Sequence, residues 1–291
     1  MVKASNIFRS PLRYPGGKTC IYKFVTQLLV DNKLIGSNYA EPYAGGAGLA
    51  LRLLMDEYVN EIYLNDLDPA IYAFWCAVLK KPDELCSWLT SVEVTIDKWR
   101  EYKEVQKQYK TVDMLELAKS TFFLNRTNVS GVITGGPIGG IQQTGKYKID
   151  VRFNKEEQIK RIQDISKFSH RIHLSNQDGT DFLDVIDRRA DEIFIYLDPP
   201  YYKKGSTLYL NAFKDADHQK LAARVQTLIK NWMVSYDNHE FILGLYPEHH
   251  KVLYQLSQCA SNRVGDEVVI FDDRIEYQNA INNLSSPQPL V

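Results

Sequence analysis

The chain has 291 residues, of which 44% are hydrophobic and 24% are charged. Such a length and composition are typical of a globular protein with a sizeable core, arranged as one large domain or two smaller ones. No apolar run approaches the roughly 20 residues of a membrane-spanning helix, and the start shows no secretory signal. Four cysteines without zinc or redox spacing favour reduced, structural thiols and no metal site. We therefore expect a cytoplasmic protein.

The net charge of −1 conceals an uneven distribution of charge along the chain. Residues 1–33 carry six Lys or Arg against one acid, and residues 119–161 carry eight against three. Two basic segments in an otherwise acidic chain are compatible with a surface that faces phosphates. Because solvated runs of charge are commoner than DNA-binding patches, this distribution alone does not decide for nucleic acid.

The first quarter of the chain alternates strands, turns and helices. A glycine turn at 15–17 precedes a helical pattern in TCIYKFVTQLLV, and NYAEPYAGGAGLALRLLM has the pattern of a strand, a glycine-rich turn and a helix. The stretch EIYLNDLDPAIYAFWCAVLK repeats this pattern, with a strand at Ile62–Leu64 and a helix that begins at Pro69. The alternation predicts an α/β sheet with parallel strands.

The segment between residues 69 and 161 departs from this alternation. It is mainly helical and polar, and then glycine-rich in NVSGVITGGPIGGIQQTGKYKID, a long loop of the kind that is usually functional or disordered. Strand patterns resume at 171–178, 192–198, 232–237 and 267–273, and the tail at 285–291 is expected to fray. The sequence therefore predicts an α/β domain made of residues 1–68 and 162–291, interrupted by a helical insertion at 69–161.

A glycine turn and a following acid indicate a cofactor site. Gly45, Gly46 and Gly48 lie between a predicted strand and helix, where glycine lets the backbone approach a ligand and the helix N-terminus attracts an anionic group. Asp66 ends the next strand roughly twenty residues on, where a carboxylate can accept from both hydroxyls of a ribose. The pair predicts an adenosine-containing cofactor. A structural glycine turn, and a helix cap by Asp66 or Asp68, are the simpler alternatives.

The stretch IYLDPPYYKKG begins as an apolar strand and leaves it through Asp198, Pro199, Pro200 and Tyr201 without a glycine. Two prolines fix φ and withhold two backbone donors, so the carbonyls and side chains there face something other than a sheet partner. The segment is either a rigid turn after a strand or a site that needs fixed acceptors beside a fixed ring.

Taken in chain order, seven stretches resemble the motifs of Dam-like DNA adenine-N6 methyltransferases. They are RYPGGK, AEPYAGGAGL, LND at 64–66, FFLNRTNVSG, DPPY at 198–201, and the later pair WMVSYDN and NRVGDEVVIF. The resemblance implies an α/β fold with a Rossmann-like, S-adenosylmethionine-dependent methyltransferase sheet that has helices on both faces, plus an inserted, mainly helical target-recognition domain. The glycine-rich loop at 131–145 departs from the enzymes that modify GATC, so the target sequence stays open.

The chemistry that the resemblance implies is direct transfer of methyl from S-adenosylmethionine to the amino group of a flipped adenine. The Asp198 carboxylate and the Pro199 carbonyl would accept the two amino hydrogens, with Pro200 adding rigidity. Tyr201 would stack on the base, and Tyr202 is the reserve candidate.

For the cofactor, the resemblance assigns Tyr14, Gly17, Lys18, Glu41, Tyr43, Gly45, Gly46, Asp66 and Asp198. The cofactor adenine would meet an acid after the third strand, either Asp178 or Asp181. Asp178 is preferred because it directly follows the strand, with Phe182 as a packing partner.

For double-stranded DNA, the resemblance assigns base reading to Asn125, Arg126 and Asn128 and phosphate contacts to Lys146, Lys148, Arg152 and Lys155. Arg126 could instead form a buried structural ion pair. The resemblance also implies a bacterial or phage-encoded enzyme that acts as a monomer or weak dimer, in some systems beside a cognate restriction endonuclease.

Competing functions have identifiable signatures in the same stretches. A cytosine-N4 enzyme usually carries Ser, and a glutamine methyltransferase Asn, where this chain has Asp198. An RNA substrate is harder to separate, and a DNA-binding relative without catalysis is disfavoured by the intact motifs. A nicotinamide-dependent oxidoreductase is disfavoured because GxGxxG is missing.

Overall fold

The computed structural model describes residues 10–13, 16–203, 213–258 and 263–290. The chain forms two compact units, each from two segments: unit 1 comprises Met1–Gly17 and Asp68–His170, and unit 2 comprises Lys18–Leu67 and Arg171–Val291. The sequence division placed the first 17 residues with the sheet, whereas in the structure they group with the helical segment. The reason is that the backbone of Arg13 is bonded to a helix of unit 1. That unit 1 recognises the target stays a prediction.

Unit 2 is built on a sheet of eight strands among the described residues. Their bounds are β1 Asn38–Glu41, β2 Ile62–Asn65, β3 Ile172–Ser175, β4 Ile193–Leu197, β5 Asn231–Asp237, β6 Lys251–Gln258, β7 Arg263–Phe271 and β8 Gln288–Leu290. The order across the sheet is β3-β2-β1-β4-β5-β7-β6-β8. The first five strands in that order are parallel, and β7, β6 and β8 pair antiparallel. The predicted parallel sheet is confirmed for the half of the sheet that carries the motifs.

Helices of unit 2 cover both faces of this sheet. They are α1 Tyr22–Asp31, α2 Gly48–Met55, α8 Gly179–Asp187, α9 Asp215–Val225 and α10 Glu240–Leu245, and a short 3-10 helix, Lys18–Ile21, precedes α1. Alternate residues of a strand point to opposite faces. Ile195 of β4 belongs to one core cluster with Leu183 of α8 and Leu221 of α9. On the other face Phe24 of α1 contacts Phe271 of β7, with ring centroids 6.1 Å apart. The predicted Rossmann-like fold is confirmed.

Two strands of the antiparallel edge differ from the sequence expectations. β6 was not anticipated, and the tail that we expected to fray contains β8, whose Pro289 pairs with Val252 of β6. Neither strand has a continuous apolar sequence. Each forms because it pairs with a strand that lies elsewhere in the chain.

Unit 1 is helical in its described part. Its helices are α3 Pro69–Lys80, α4 Pro82–Ser91, α5 Ile96–Lys107, α6 Met114–Thr127 and α7 Lys155–Ser166. Aromatic side chains form its core: the ring of Phe122 stacks on Phe74 at 5.8 Å and meets Phe153 edge-on at 5.6 Å. Helix α6 begins at a sequence-coded cap, since Asp113 accepts from the backbone of Leu115 and Glu116.

Candidate active site

Acidic side chains lie at the carboxyl ends of four parallel strands of unit 2. Glu41 is the last residue of β1, Asp66 follows β2, Asp198 follows β4, and Asp237 is the last residue of β5. Because these strands are parallel, their carboxyl ends share one edge of the sheet. The strand order reverses between β1 and β4, and ligands of open α/β sheets bind at such a switch point.

The carboxylate of Asp198 is held by a buried lysine. Lys18 Nζ lies 2.8 and 2.9 Å from the two oxygens of Asp198 and 2.7 Å from Tyr201 Oη. The lysine side chain is 4% exposed and that of Asp198 is 25% exposed. Charge-assisted hydrogen bonds to both oxygens hold the carboxylate strongly against the ammonium. The structure therefore joins the lysine of RYPGGK to the first and last residues of DPPY.

The turn after β4 presents a buried ring beside this ion pair. Tyr201 is 8% exposed, and Lys18 Nζ is 4.9 Å from the centroid of its ring. Burial raises the pKa of Tyr201 well above its ordinary value, so the phenol stays neutral. Pro199 is buried and Pro200 half-buried.

A second buried acid, which the sequence reading missed, lies near the same lysine. Glu267 of β7 is 2% exposed; its Oε2 is 3.7 Å from Lys18 Nζ and accepts a hydrogen bond of 2.8 Å from Tyr254 Oη. The sequence gives one indication of this role, namely a single acid in the apolar stretch EVVIF. The ammonium of Lys18 is thus shared between two carboxylates, which is how a charge this deeply buried is compensated.

Asp237 fixes the segment that follows DPPY and was also missed. Its two carboxylate oxygens accept from the backbone N–H groups of Tyr202 and Lys203, at 2.9 and 2.8 Å. The ring of Tyr202 stacks on Phe241 of α10, with centroids 5.0 Å apart. Tyr202 is therefore packed against a helix, whereas Tyr201 packs beside Lys18.

The glycine turn and the acid after β2 are bonded to each other. Gly45 N donates to Asp66 Oδ2 at 2.8 Å. Gly45 has a positive φ of 46°, a conformation that glycine adopts without cost. Both Gly45 and Gly46 are buried at the start of α2. The two parts of the predicted cofactor site thus come together at the sheet edge.

Glu41 is buried at the end of β1 and is 6% exposed. Its Oε1 accepts a hydrogen bond of 3.0 Å from Tyr39 Oη. Burial and, to a smaller extent, the charge of Asp198 together raise the pKa of Glu41 to about 8, against the opposing effect of the Tyr39 hydrogen bond. At neutral pH the side chain is therefore largely a protonated acid that can donate a hydrogen bond.

The residues that follow β3 form the first turn of α8, beneath the ring of Tyr43. Asp178 caps α8 by accepting from Thr180 N at 2.9 Å, and Lys220 Nζ lies 3.7 Å from it. A Cβ at Gly179 would stand 2.4 Å from Tyr43 Oη, so any larger residue there would have to displace the Tyr43 ring. Phe182 is 3% exposed and packs in the core. Asp181 lies in the first turn of the same helix.

In unit 1 the residues predicted to read bases are buried. Asn125 is 1% exposed and bonds the backbone of Arg13 and Gly131. Asn128 is fully buried; its Oδ1 accepts from Trp99 Nε1 at 2.6 Å and its Nδ2 donates to the carbonyls of Val132 and Ile133. These two amides organise the start of the glycine-rich loop.

Arg126 is 8% exposed and also bonds backbone. Its Nε donates to Arg152 O at 2.7 Å, and Nη1 lies 3.5 Å from Pro11 O. Burial lowers the pKa of Arg126 to about 9, and the neighbouring arginines lower it further. The predicted phosphate-binding residues Lys146, Lys148 and Arg152 are exposed, and Lys155 donates to Thr90 O at 3.0 Å. Whether any of these side chains contacts DNA stays a prediction.

Two predicted positions lie outside the described residues, namely Tyr14 and Cys259. Cys76 and Cys86 are buried, free thiols. Within the described ranges no cluster of three or more His, Cys, Asp or Glu could hold a metal ion. Within the same ranges no helix is long and apolar enough to cross a membrane.

The reversal of strand order at β1 and β4, with a glycine turn after the one and Asp-Pro-Pro-Tyr after the other, defines a Rossmann-like α/β fold, whose ligands bind at such a switch point. A family model described as D12 class N6 adenine-specific DNA methyltransferase matches residues 14–258. The chain belongs to this family, which confirms the resemblance to Dam-like enzymes seen in the sequence.

Two solved structures show distant similarity to this chain. The structure of TrmN from Thermus thermophilus is 11% identical with a TM-score of 0.39, over 85% of this chain and 48% of that one. Protein LPL1258 from Legionella pneumophila is 10% identical with a TM-score of 0.37, over 96% of this chain and 90% of that one. The chain therefore spans about half the length of the TrmN structure. No curated protein matches it.

Proposed function

We propose that this protein is a site-specific DNA methyltransferase that moves the methyl group of S-adenosylmethionine to N6 of an adenine flipped out of double-stranded DNA. One observation carries the proposal. Both oxygens of the Asp198 carboxylate, at the end of β4, accept hydrogen bonds from the buried Lys18, which also bonds the buried Tyr201. Membership of the D12 class supports adenine as the acceptor.

The lone pair of an exocyclic amino group is delocalised into the purine ring, which makes the nitrogen a poor nucleophile. Two acceptors that bind its two hydrogens withdraw it from conjugation and align it for attack. In our proposal these acceptors are the Asp198 carboxylate and the Pro199 carbonyl. S-adenosylmethionine, when bound, supplies an electrophilic methyl group on its sulfonium. The rigid Pro199–Pro200 turn keeps the carbonyl aimed, so little entropy is lost on binding.

The target atom is out of reach inside a duplex, so the base must leave the stack at a cost of a few kcal/mol. Stacking on an aromatic ring is worth about 1–3 kcal/mol per base, which offsets part of that cost. We assign this platform to Tyr201, because the Lys18 hydrogen bond holds its ring in place next to Asp198. Tyr202, packed on Phe241, is the weaker candidate.

The donors and acceptors at the sheet edge fit the chemistry of S-adenosylmethionine. We assign the ribose to Asp66, whose carboxylate is anchored by Gly45 N, and the methionine end to the start of α2 and to Lys18. Glu41, neutral at pH 7, would donate a hydrogen bond there. Asp178 would accept from the adenine amino group, although capping α8 already occupies one of its oxygens.

For the DNA duplex, exposure favours Lys146, Lys148 and Arg152 as phosphate contacts. Asn125, Arg126 and Asn128 are assigned by the resemblance to base reading, yet in this structure their side chains bond mainly backbone, and Asn128 Oδ1 accepts from Trp99 Nε1. We propose that their main role is to shape the loop that they anchor. Action as a monomer, and a restriction endonuclease as partner, remain proposals from the family resemblance.

The test is incubation with methyl-labelled S-adenosylmethionine and duplex DNA, followed by digestion to nucleosides. We expect label in N6-methyladenine. In the Asp198→Ala variant we expect transfer to be lost while the affinity for S-adenosylmethionine, measured by calorimetry, is largely kept. Label in cytosine, RNA or protein would overturn the proposed acceptor, and collapse of cofactor affinity would overturn the assigned role of Asp198.

A further inference from the structure

The carboxylate of Asp198 has a third hydrogen-bond donor, from the strand beside it. Ser235 lies in β5 and is fully buried. The parallel register pairs Leu197 with Val234, so Asp198 and Ser235 follow side by side. Ser235 Oγ lies 2.9 Å from Asp198 Oδ1, and Tyr196 Oη lies 2.7 Å from Ser235 Oγ. Tyr196 precedes Asp198 by two residues and therefore shares its face of the sheet.

The direction of this chain of hydrogen bonds follows from counting protons. In its ion pair with Lys18, Asp198 is a carboxylate and can only accept. Ser235 must then donate its single proton to Asp198, so its contact with Tyr196 is one in which Ser235 accepts. Burial raises the pKa of Tyr196 well above its ordinary value, which keeps the proton that Tyr196 has to donate. The order is therefore Tyr196 to Ser235 to Asp198.

The two oxygens of the carboxylate are consequently not equivalent. Oδ1 accepts from both Lys18 and Ser235, whereas Oδ2 accepts from Lys18 at 2.9 Å. A carboxylate oxygen offers about two acceptor positions, so Oδ1 is filled while Oδ2 retains one. Asp198 is also the exposed partner of its ion pair, so this acceptor can be reached by a ligand.

We infer that Ser235, directed by Tyr196, is a positioning residue that occupies Oδ1 of Asp198 and leaves Oδ2 to accept from the amino group of the target. The inference rests on the proposed function, in which Asp198 binds that amino group. Without Ser235 the carboxylate keeps its lysine but can rotate about its Cβ–Cγ bond, and both acceptors must be aligned for attack. A misplacement of about 1 Å can lower a rate by about 100-fold.

A purely structural role for the hydroxyl makes a different prediction. Filling a buried hydrogen-bond site would affect the free energy of unfolding, with no effect on the rate of transfer in the folded enzyme. Under a structural role, neither the Ser235 variant nor the Tyr196 variant would change that rate. A positioning role couples them, because Tyr196 reaches Asp198 only through Ser235.

The experiment compares single-turnover methyl transfer, at saturating cofactor and DNA, for Ser235→Ala, Ser235→Thr, Tyr196→Phe and the double variant Tyr196→Phe/Ser235→Ala. We expect Ser235→Ala to slow transfer by about 10- to 100-fold, with the dissociation constant for S-adenosylmethionine within about twofold of the parent. Ser235→Thr keeps the hydroxyl and should recover most of the rate. Tyr196→Phe should slow transfer less, and the double variant should be no slower than Ser235→Ala.

The matched control is Thr26→Val, which removes a buried hydroxyl in α1 that bonds only the backbone of Lys23. It should lower thermal stability without changing the single-turnover rate. An unchanged rate in Ser235→Ala, or additive losses in the double variant, would overturn the inference. If Ser235→Ala fails to fold, the Tyr196→Phe variant alone tests the inference. A parental rate of methyl transfer in that variant would contradict the chain of hydrogen bonds from Tyr196 through Ser235 to Asp198. The acceptor found for the parent enzyme tests the proposed function separately, because the coupling is measured on whichever amine is methylated.

Discussion

The side chain of Asn125 binds the backbone of Arg13 at both of its polar atoms. Oδ1 accepts from Arg13 N and Nδ2 donates to Arg13 O, each at 2.7 Å, and Nδ2 also donates to Gly131 O at 2.9 Å. The amide therefore acts as a short strand partner for the segment that leads, five residues further along, to Lys18. Two motifs that the sequence presents 112 residues apart are in this way one structural element.

Replacing Asn125 should destabilise unit 1. Asn125→Leu keeps the branched shape of a side chain that is 1% exposed but removes its three hydrogen bonds, each worth about 1 kcal/mol, and leaves backbone groups unsatisfied. We expect the free energy of unfolding to fall by about 2–4 kcal/mol in urea titrations. Asn154→Ala, which removes only the cap of α7 at Glu157 N, is the control and should cost about 1 kcal/mol. Equal losses in the two variants would contradict the role given to Asn125.

Gly131 should tolerate no side chain, because the backbone of Arg13 lies where its Cβ would be. Its φ is +79°, and a Cβ would stand 2.4 Å from Arg13 O. Gly140 has a similar φ of +74° but nothing within 4 Å of its Cβ position. Gly140→Ala should therefore cost about 1–2 kcal/mol for the backbone conformation alone, and Gly131→Ala distinctly more, as measured by urea unfolding. A Gly131 variant as stable as the Gly140 variant would show that the Arg13 segment can move aside.

Removing the ammonium of Lys18 should lower both stability and activity. Lys18→Met leaves Asp198 and Glu267 without their shared cation, and breaking a buried ion pair typically costs about 3–5 kcal/mol, less where one partner is partly exposed. Thermal unfolding should show the loss, and adding Asp198→Asn should recover part of the stability but none of the activity. A Lys18→Met protein of parental stability would contradict the compensation argued for this site.

The stability of the folded protein should fall as pH rises through the neutral range, in part because of Glu41. Its folded pKa of about 8 is above the ordinary value for a glutamate of about 4.3, so the folded state keeps a proton that the unfolded state loses. Between those two pH values stability falls with pH, and above about 8 this contribution is constant. Glu41→Gln has no proton to lose and should flatten the dependence of the melting temperature between pH 5 and 8. Parallel curves for parent and variant would show that Glu41 is ionised in the fold.

The exposed basic side chains after the glycine-rich loop should set the salt dependence of DNA binding. Replacing Lys146, Lys148 and Arg152 by Gln should reduce the slope of log K against log salt by about 0.9 for each phosphate that the variant no longer neutralises. Affinity should fall alike for target and non-target duplexes. Lys167→Gln, an exposed lysine of unit 1 paired with Asp164, is the control and should leave the slope unchanged. A triple variant with the parental slope would place the phosphate-binding surface elsewhere.

The active-site motifs were readable from the sequence because their chemistry is local. Asp-Pro-Pro-Tyr constrains its own backbone, and glycines at the start of a helix predict a turn wherever the chain lies. Continuous apolar stretches such as Ile193–Leu197 then predict parallel strands, since a strand buried on both faces of a sheet has that pattern. Family membership and the fold were therefore predictable.

The partners of these residues were not readable, because burial and long-range contact have no local pattern. An Asn in a helix that bonds a distant backbone has the same sequence appearance as one that reads a base, which is why Asn125 and Asn128 were assigned to DNA. Ser235 and Glu267 were passed over because one polar residue in an apolar strand has no periodic signal. The sequence predicted the parallel part of the sheet, the glycine turn after β1 and the Asp198 carboxylate after β4. Tertiary structure alone decided that Lys18, Ser235 and Tyr201 surround that carboxylate, since hydrogen bonds between strands depend on the sheet order that only the folded chain establishes.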